Sequence, residues 1–364
     1  MKIKSKTHQI SEAFQFLYSV IPARSPRPTL NNVKIETKDD SVELSATDSE
    51  IALRYTLTEV EILEPGVVSI PASNVTAILR ETSNETVELE SQGEEFFIRT
   101  LDSSYRIVGD DPHNFPFIPF IDDAASISIP SNLVSSCIQK TSFATSKEKT
   151  RYALNGILVS ISGTTVEMVA TDGKRLALVE KTFEGQAVES FEAIVPTKAM
   201  SILERLAEGD APVAISVQEN LVQFVTGSVM LCAKLVEGTF PNYREVVPAN
   251  YSKSISVNKE MLFSAVKRAS LFTSEESKAV NLSAKDQTIT LKSHSDAAGD
   301  AQIQIGVEQD EEMEIAVNPE FLIDLLRVSD NEDIVLEFMD FNRPLVIKPA
   351  EGYLNVIMPI SATN

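Results

Sequence analysis

The sequence predicts an α+β chain made of three copies of one module, with helices packed on one side of antiparallel sheets. Three observations carry this: a self-similarity at one third of the length, a halving of each third, and a switch between helical and two-residue periodicity within each half. Ala46-Thr47-Asp48 returns as Ala170-Thr171-Asp172, with Ser295-Asp296 as a weaker echo, so positions 47, 171 and 295 are spaced by 124 in a chain of 364 residues. Leu30-Asn31 matches Leu154-Asn155, and Phe115-Pro116 matches Phe240-Pro241. Several matches in one register are not a chance event. The expected domains are residues 1–123, 124–250 and 251–364, each of ordinary domain size.

Within each third a strand leads into a short helix twice. The first strands begin at Ile3, Ile127 and Ile255, and the second run through Ser69-Ile70-Pro71, Ile194-Val195-Pro196 and Ala316-Val317-Asn318. Helical stripes follow them: Ile10, Ala13, Phe14 and Leu17; Val75, Ile78 and Leu79; Ala199, Ile202, Leu203 and Leu206; Leu262, Ala265, Val266 and Ala269. A proline just before or inside the first turn suits a helix start, where a missing N–H costs nothing. Period-two runs such as Val42, Leu44, Ala46, then Val166, Met168, Ala170, then Val213, Ile215, Val217 read as strands with one buried face. The unit is strand, helix, then several strands, used six times.

Composition narrows the chemistry. Thirteen glycines are few for this length, and neither a GxxxxGK[ST] loop nor a GxGxxG turn is present. Cys137 and Cys232 lie far apart in apolar surroundings and read as buried thiols of a reducing compartment. No secretory signal is expected after Met1-Lys2-Ile3-Lys4, no apolar run is long enough to span a membrane, and a cytoplasmic location is expected. His8, His113 and His294 have no metal spacing and flank no nucleophile, so no metal, no cofactor and no catalytic residues are expected. Asp48 and Asp172 could form a carboxylate pair. Their place in the repeat favours strand-end turns closed by Thr-Asp side chains.

The net charge is −21, from 53 acids and 32 bases, which by itself argues against nucleic-acid binding. The helical segments are closer to neutral: Arg80, Lys140, Lys198, Arg205, Lys259, Lys267, Arg268 and Arg327 stand against Glu12, Glu81, Glu204, Glu208, Glu260, Glu320 and Asp324. A charge spread over a solvated surface accounts for this. So does a helix-lined surface that tolerates a polyanion beneath an acidic exterior.

Several stretches carry a family resemblance. They are Arg27-Pro28-Thr29-Leu30, Phe143-Ala144-Thr145-Ser146, Arg151 to Gly156, Thr171-Asp172-Gly173-Lys174-Arg175-Leu176-Ala177, Leu235 to Tyr243, and the closing Val356-Ile357-Met358-Pro359. Together they resemble the bacterial sliding clamps, the beta subunits of DNA polymerase III, across all three thirds. The resemblance implies a non-catalytic processivity factor for DNA replication. Two chains would join head to tail in a ring-shaped homodimer, sheets outside and helices lining a central hole threaded by duplex DNA without sequence preference. The implied partners are the DNA polymerase III alpha subunit, the clamp loader, and other polymerases and repair proteins, bound through short peptide motifs; no membrane is involved.

The resemblance also implies a hydrophobic cleft between the second and third domains. Its walls would be Leu154, Thr171, Gly173, Lys174, Arg175, Leu176, Pro241, Val246, Asn318, Phe321, Val356, Met358 and Pro359. Leu154, Leu176 and Val356 fit ordinary inter-domain core equally. Arg175, an arginine among apolar neighbours, requires a paired carbonyl or carboxylate. For DNA the resemblance points to Arg27, Tyr152 and Lys198, then Lys147 and Lys149; each also fits a plain surface residue. For the dimer seam it points to Tyr105 and Ile107 facing Leu271 and Phe272 of the other chain, where core packing is the alternative. The chain departs from the family at Glu245, where arginine is frequent, at Ser277, where an aromatic can close one wall, and in its tail Ile360-Ser361-Ala362-Thr363-Asn364. A monomeric adaptor of similar fold and an enzyme with an unrecognised site are the readings from other classes.

Overall fold

The computed structural model describes residues 1–121, 126–148, 152–185, 188–248, 251–274, 278–309, 311–340 and 342–360. Among them are six α-helices: α1 (Thr7–Val20), α2 (Ala72–Glu81), α3 (Ser131–Ser142), α4 (Thr197–Leu206), α5 (Lys259–Ser270) and α6 (Pro319–Val328). Each begins within two residues of a strand's end, and each is followed by three strands, or four after α1, before the next unit begins. The repeated unit is therefore the expected one. Glu208, counted from sequence with the helices, lies in the turn beyond α4.

Local chemistry explains the helix starts and faces. Asn258 caps α5 by accepting from the Met261 N–H at 3.1 Å, and Asn318 caps α6 by accepting from the Glu320 N–H at 3.0 Å, with Pro319 in the first turn. The predicted stripes are the buried faces: Ile10, Ala13, Phe14 and Leu17 on α1, Ala199, Ile202, Leu203 and Leu206 on α4, and Leu262, Ala265, Val266 and Ala269 on α5. Ile78 on α2 is only half-buried. Each fully buried Leu, Ile or Phe contributes roughly 1.5–3 kcal/mol.

The chain divides into two compact units, and the division cuts through the middle third. The first unit comprises Met1–Ser135 and Lys198–Leu235. It holds a five-stranded sheet and an eight-stranded antiparallel sheet in which Ile51–Leu57 pairs with Val229–Lys234. Strands from two successive thirds thus share one hydrogen-bonded sheet. Gln223, buried in that sheet, accepts from the Ile121 N–H and donates to its carbonyl, both at 2.9 Å, which pins the segment after Phe115.

The second unit comprises Ser136–Thr197 and Val236–Asn364. Its eight-stranded sheet joins thirds in the same way, Arg175–Thr182 pairing with Tyr353–Ile357, and a four-stranded sheet completes it. One expectation needs correction here. The strand Thr165–Thr171 does not bury one face alone, because every residue from Val166 to Thr171 is buried, Glu167 included. An apolar cluster of Leu158, Val169, Leu176, Ile194, Tyr243, Val346 and Val356 is covered by Val236, Phe240, Val247 and Tyr251 from the segment that crosses it. Alternation vanishes where a crossing segment adds a second interior.

Candidate functional site

The site grows from the turn that first revealed the repeat. In Thr171–Arg175 the Thr171 hydroxyl donates to the Arg175 carbonyl at 2.6 Å and accepts from the Gly173 N–H at 3.0 Å. Asp172 Oδ1 accepts from the N–H groups of Lys174 at 2.8 Å and Arg175 at 3.0 Å. The first third repeats this bond for bond: Thr47 Oγ1 to the Ile51 carbonyl at 2.9 Å, and Asp48 Oδ1 from the Glu50 and Ile51 N–H groups at 3.0 and 2.8 Å. Gly173 has φ +86° and Ser49, at the matching place, φ +81°; glycine takes this left-handed conformation without Cβ strain, whereas Ser49 carries it at a cost. The two aspartates are therefore turn-formers, as the repeat suggested. The echo at Ser295-Asp296 departs, since Asp296 Oδ1 lies 3.1 Å from His294 Nε2 and the turn is closed instead by the Ala298 N–H on the Ser295 carbonyl.

This turn presents Arg175, each of whose three guanidinium nitrogens donates a hydrogen bond. Nε donates to Asp172 at 3.2 Å, Nη1 to Asp324 of α6 at 2.7 Å, and Nη2 to the Phe143 carbonyl at 2.5 Å. The Phe321 ring centroid lies 4.6 Å from its central carbon. The partner demanded from sequence is thus present three times over, in the fork geometry that arginine suits. The arginine fastens the turn to α6 while leaving its stem beside apolar surface.

Beside it opens a groove of about 140 Å³ lined by Thr171, Gly173, Arg175, Leu176, Pro241, Tyr243, Val246, Val356 and Met358. Eight of these nine were named from sequence. Leu176 faces Val356 across the strand pair, and the Met358 N–H donates to the Lys174 carbonyl at 2.9 Å, so the floor is fixed by the ladder. Val246 and Met358 are exposed apolar side chains at its rim. The lining does not include Leu154, Lys174, Asn318, Phe321 or Pro359. Leu154 is half-buried in the turn Tyr152–Leu154, Lys174 points to solvent, Asn318 is spent capping α6, Phe321 stacks on Arg175, and Pro359 is half-buried beyond the rim.

Tyr243 is the wall residue that sequence reasoning missed. Its hydroxyl donates to the buried Glu167 at 2.5 Å, Arg244 donates to the same carboxylate at 2.9 Å, and its ring meets Phe240 edge-on at 6.2 Å. Burial, then the bond to Glu167, pushes the Tyr243 phenol up to about 12. A carboxylate inside the apolar run Val166–Ala170 was the available signal, since a buried acid needs donors. Glu245, next in the chain, is exposed and accepts from Asn242 at 2.7 Å.

The remaining predicted residues do not line the groove. Arg27 and Lys147 are exposed. Lys198 is not a free cation: its ammonium donates to Asp48 and to the Val20 carbonyl, both at 2.6 Å. Tyr152 begins a short 3-10 turn, while Lys149, Arg151 and Ser277 lie outside the described residues, as does the tail from Ser361. On the edge strand Ser104–Val108, Tyr105 is 39% exposed and Ile107 8%. Leu271 is 72% exposed and Phe272 half-buried.

Both cysteines are buried free thiols, Cys137 pushed up to about 12 and Cys232 to about 11 by burial. Among the described residues no group of three or more His, Cys, Asp or Glu side chains is placed to hold a metal ion, and no helix is long and apolar enough to cross a membrane.

Comparison with known proteins matches this geometry to one family. Residues 1–119 match the N-terminal domain of the DNA polymerase III beta subunit, 128–242 its central domain and 244–361 its C-terminal domain. The chain is 30% identical over 362 residues to the beta sliding clamp of Chlamydia pneumoniae, covering 99% of both chains, and 27% identical to that of Bacillus subtilis, again over 99% of both. The crystal structure of the DNA polymerase sliding clamp from Bacillus subtilis superimposes with a TM-score of 0.93 at 27% identity, covering 100% of this chain and 99% of that one. With the three domains matched in order along its length, the chain belongs to the DNA polymerase III beta-subunit family.

Proposed function

We propose that the protein is a DNA sliding clamp. Two copies join head to tail, and their six thirds close a ring with sheets outside and helices facing a central hole. Duplex DNA threads that hole without sequence preference. The observation that carries the reading is the ordered match of all three family domains on a chain whose thirds each hold a helix pair. Enclosure explains the charge. Each neutralised phosphate adds affinity through released counterions, so dense cations would hinder sliding. A net charge of −21 instead discourages DNA from adhering outside. Arg27, Tyr152, Lys198, Lys147 and Lys149 are the proposed DNA contacts; Lys198 would have to share its ammonium with Asp48.

At the seam, Tyr105 and Ile107 of one chain meet Leu271 and Phe272 of the other. The strand Ser104–Val108 ends the five-stranded sheet and Gly299–Gly306 ends the four-stranded one, so each unit has an unpaired edge that ring closure would satisfy. The groove beside Arg175 is the proposed dock for partner peptides, from polymerases, the clamp loader and repair proteins. Apolar side chains would bury over Leu176, Val356 and Met358 against Tyr243, the few anchors supplying most of the affinity. The protein thus tethers catalysts in the cytoplasm and catalyses nothing itself, without cofactor.

Light scattering is expected to give twice the 39.9 kDa of one chain; a monomer at micromolar concentration would refute the ring. Calorimetry with a generic clamp-binding pentapeptide should give saturable heat that Met358→Glu removes. Absence of heat with folded protein would refute the groove assignment.

A further inference from the structure

The strand junction that floors the groove of the second unit recurs 124 residues earlier in the first. Leu176 faces Val356 in one, and Ala52 faces Cys232 in the other. The Met358 N–H donates to the Lys174 carbonyl at 2.9 Å, and the Lys234 N–H to the Glu50 carbonyl at 2.8 Å. Thr47 and Pro116 stand where Thr171 and Pro241 stand. Over this junction the first unit opens a pocket of about 290 Å³, larger than the 140 Å³ of the groove. Two floor side chains are smaller here, alanine for leucine and cysteine for valine.

The rim differs in charge. Lys234 replaces Met358, and Arg27 lines the same pocket. Among the described residues neither has a carboxylate within ion-pairing distance, in contrast to Lys198, which Asp48 neutralises. Glu50 is the one acid in the lining, and the Phe117 ring at the rim is 90% exposed. On a chain of net charge −21 most of the surface repels an anion, so two unneutralised cations around an apolar floor localise one.

We infer that this pocket is a second docking site, and that its occupant is an extended acidic peptide of a partner protein. An apolar side chain enters over Ala52 and Cys232 beside Phe117, and flanking carboxylates meet Lys234 and Arg27. The pocket stands on its own geometry, whether or not the groove of the second unit takes a peptide.

The probe is fluorescein-labelled Asp-Asp-Leu-Phe-Asp-Asp, read by anisotropy on the full chain at low salt, beside a counterpart with Asn for every Asp. Lys234→Glu is expected to weaken the acidic probe about tenfold, Lys234→Gln by less, and the Asn probe should bind as weakly as the acidic probe does to Lys234→Glu. In a Met358→Glu background, where the groove is disabled, Lys234→Glu should still weaken the acidic probe by the same factor, which separates this pocket from the groove. Lys234 is exposed, and unchanged far-ultraviolet dichroism of its variants shows that they fold. Three results overturn the inference: no binding at millimolar probe; loss with Met358→Glu and none with Lys234→Glu; or a Lys234→Glu change that loosens a short DNA duplex and leaves the probe untouched.

Discussion

Replacing Arg175 by alanine removes a fork that ties a turn, a helix and a loop together. The side chain is 10% exposed, and its carboxylate partners Asp172 and Asp324 are 19% and 27% exposed. Hydrogen bonds to charged groups are worth about 1.5–3 kcal/mol each, and the stacked Phe321 ring adds about 0.5–1 kcal/mol. Both carboxylates reach solvent, so water recovers part of what they lose. A net loss of about 2–4 kcal/mol remains, below the roughly 3–5 kcal/mol for a fully buried broken pair. Hydrogen exchange followed by mass spectrometry reads this locally, which avoids treating a chain of two compact units as one cooperative transition. Amides of Arg175–Thr182 and of α6 should exchange about 30- to 1,000-fold faster in Arg175→Ala, while those of the first unit stay unchanged. Arg175→Lys should recover less than half of the loss, because a point charge cannot span three acceptors. An acceleration under about threefold, or one spread evenly over the chain, would refute the fork as the fastening of this turn.

Three further outcomes follow from the same geometry. Tyr243→Phe should cost about 1–3 kcal/mol locally by stranding Glu167 with Arg244 alone, and ultraviolet titration should lose its tyrosine ionising at about 12; because that value lies above the ordinary 10.0, the contribution is complete below pH 10 and disappears as pH rises through 12. Cys137 and Cys232, with thiols at about 12 and about 11, should resist iodoacetamide at pH 8 in the folded chain and react in urea, as counted by intact mass. His294, held up by Asp300 and then Asp296, should titrate above 6.5 by NMR; its contribution is present below 6.5 and lost as pH rises through the raised value, and Asp300→Asn should return it toward 6.5.

The repeat made the architecture legible, because a module that returns every 124 residues leaves its turn chemistry in register. Thr171 and Asp172 were read as turn-formers from their place in the repeat and the habit of Thr-Asp to bond its own backbone, and their side chains close the turn. Eight groove residues were reachable through the family resemblance. Periodicity could not show that sheets run from one third into the next, since the Ala52–Cys232 pairing joins positions 180 residues apart. Nor could it reveal Tyr243 and Glu167, which become one unit only because a crossing segment covers the outer face of Thr165–Thr171. Lys198 shows the limit of reading charge by residue type: its partner Asp48 lies 150 positions away.

The central claim is that DNA is held by enclosure, and its most direct measurement is retention of the loaded protein on one plasmid in two forms. The protein should remain on nicked circular DNA through gel filtration at moderate salt and leave within minutes of linearisation, by running off the ends. Equal retention on circular and linear DNA would mean adhesion to the duplex surface, and would contradict a ring.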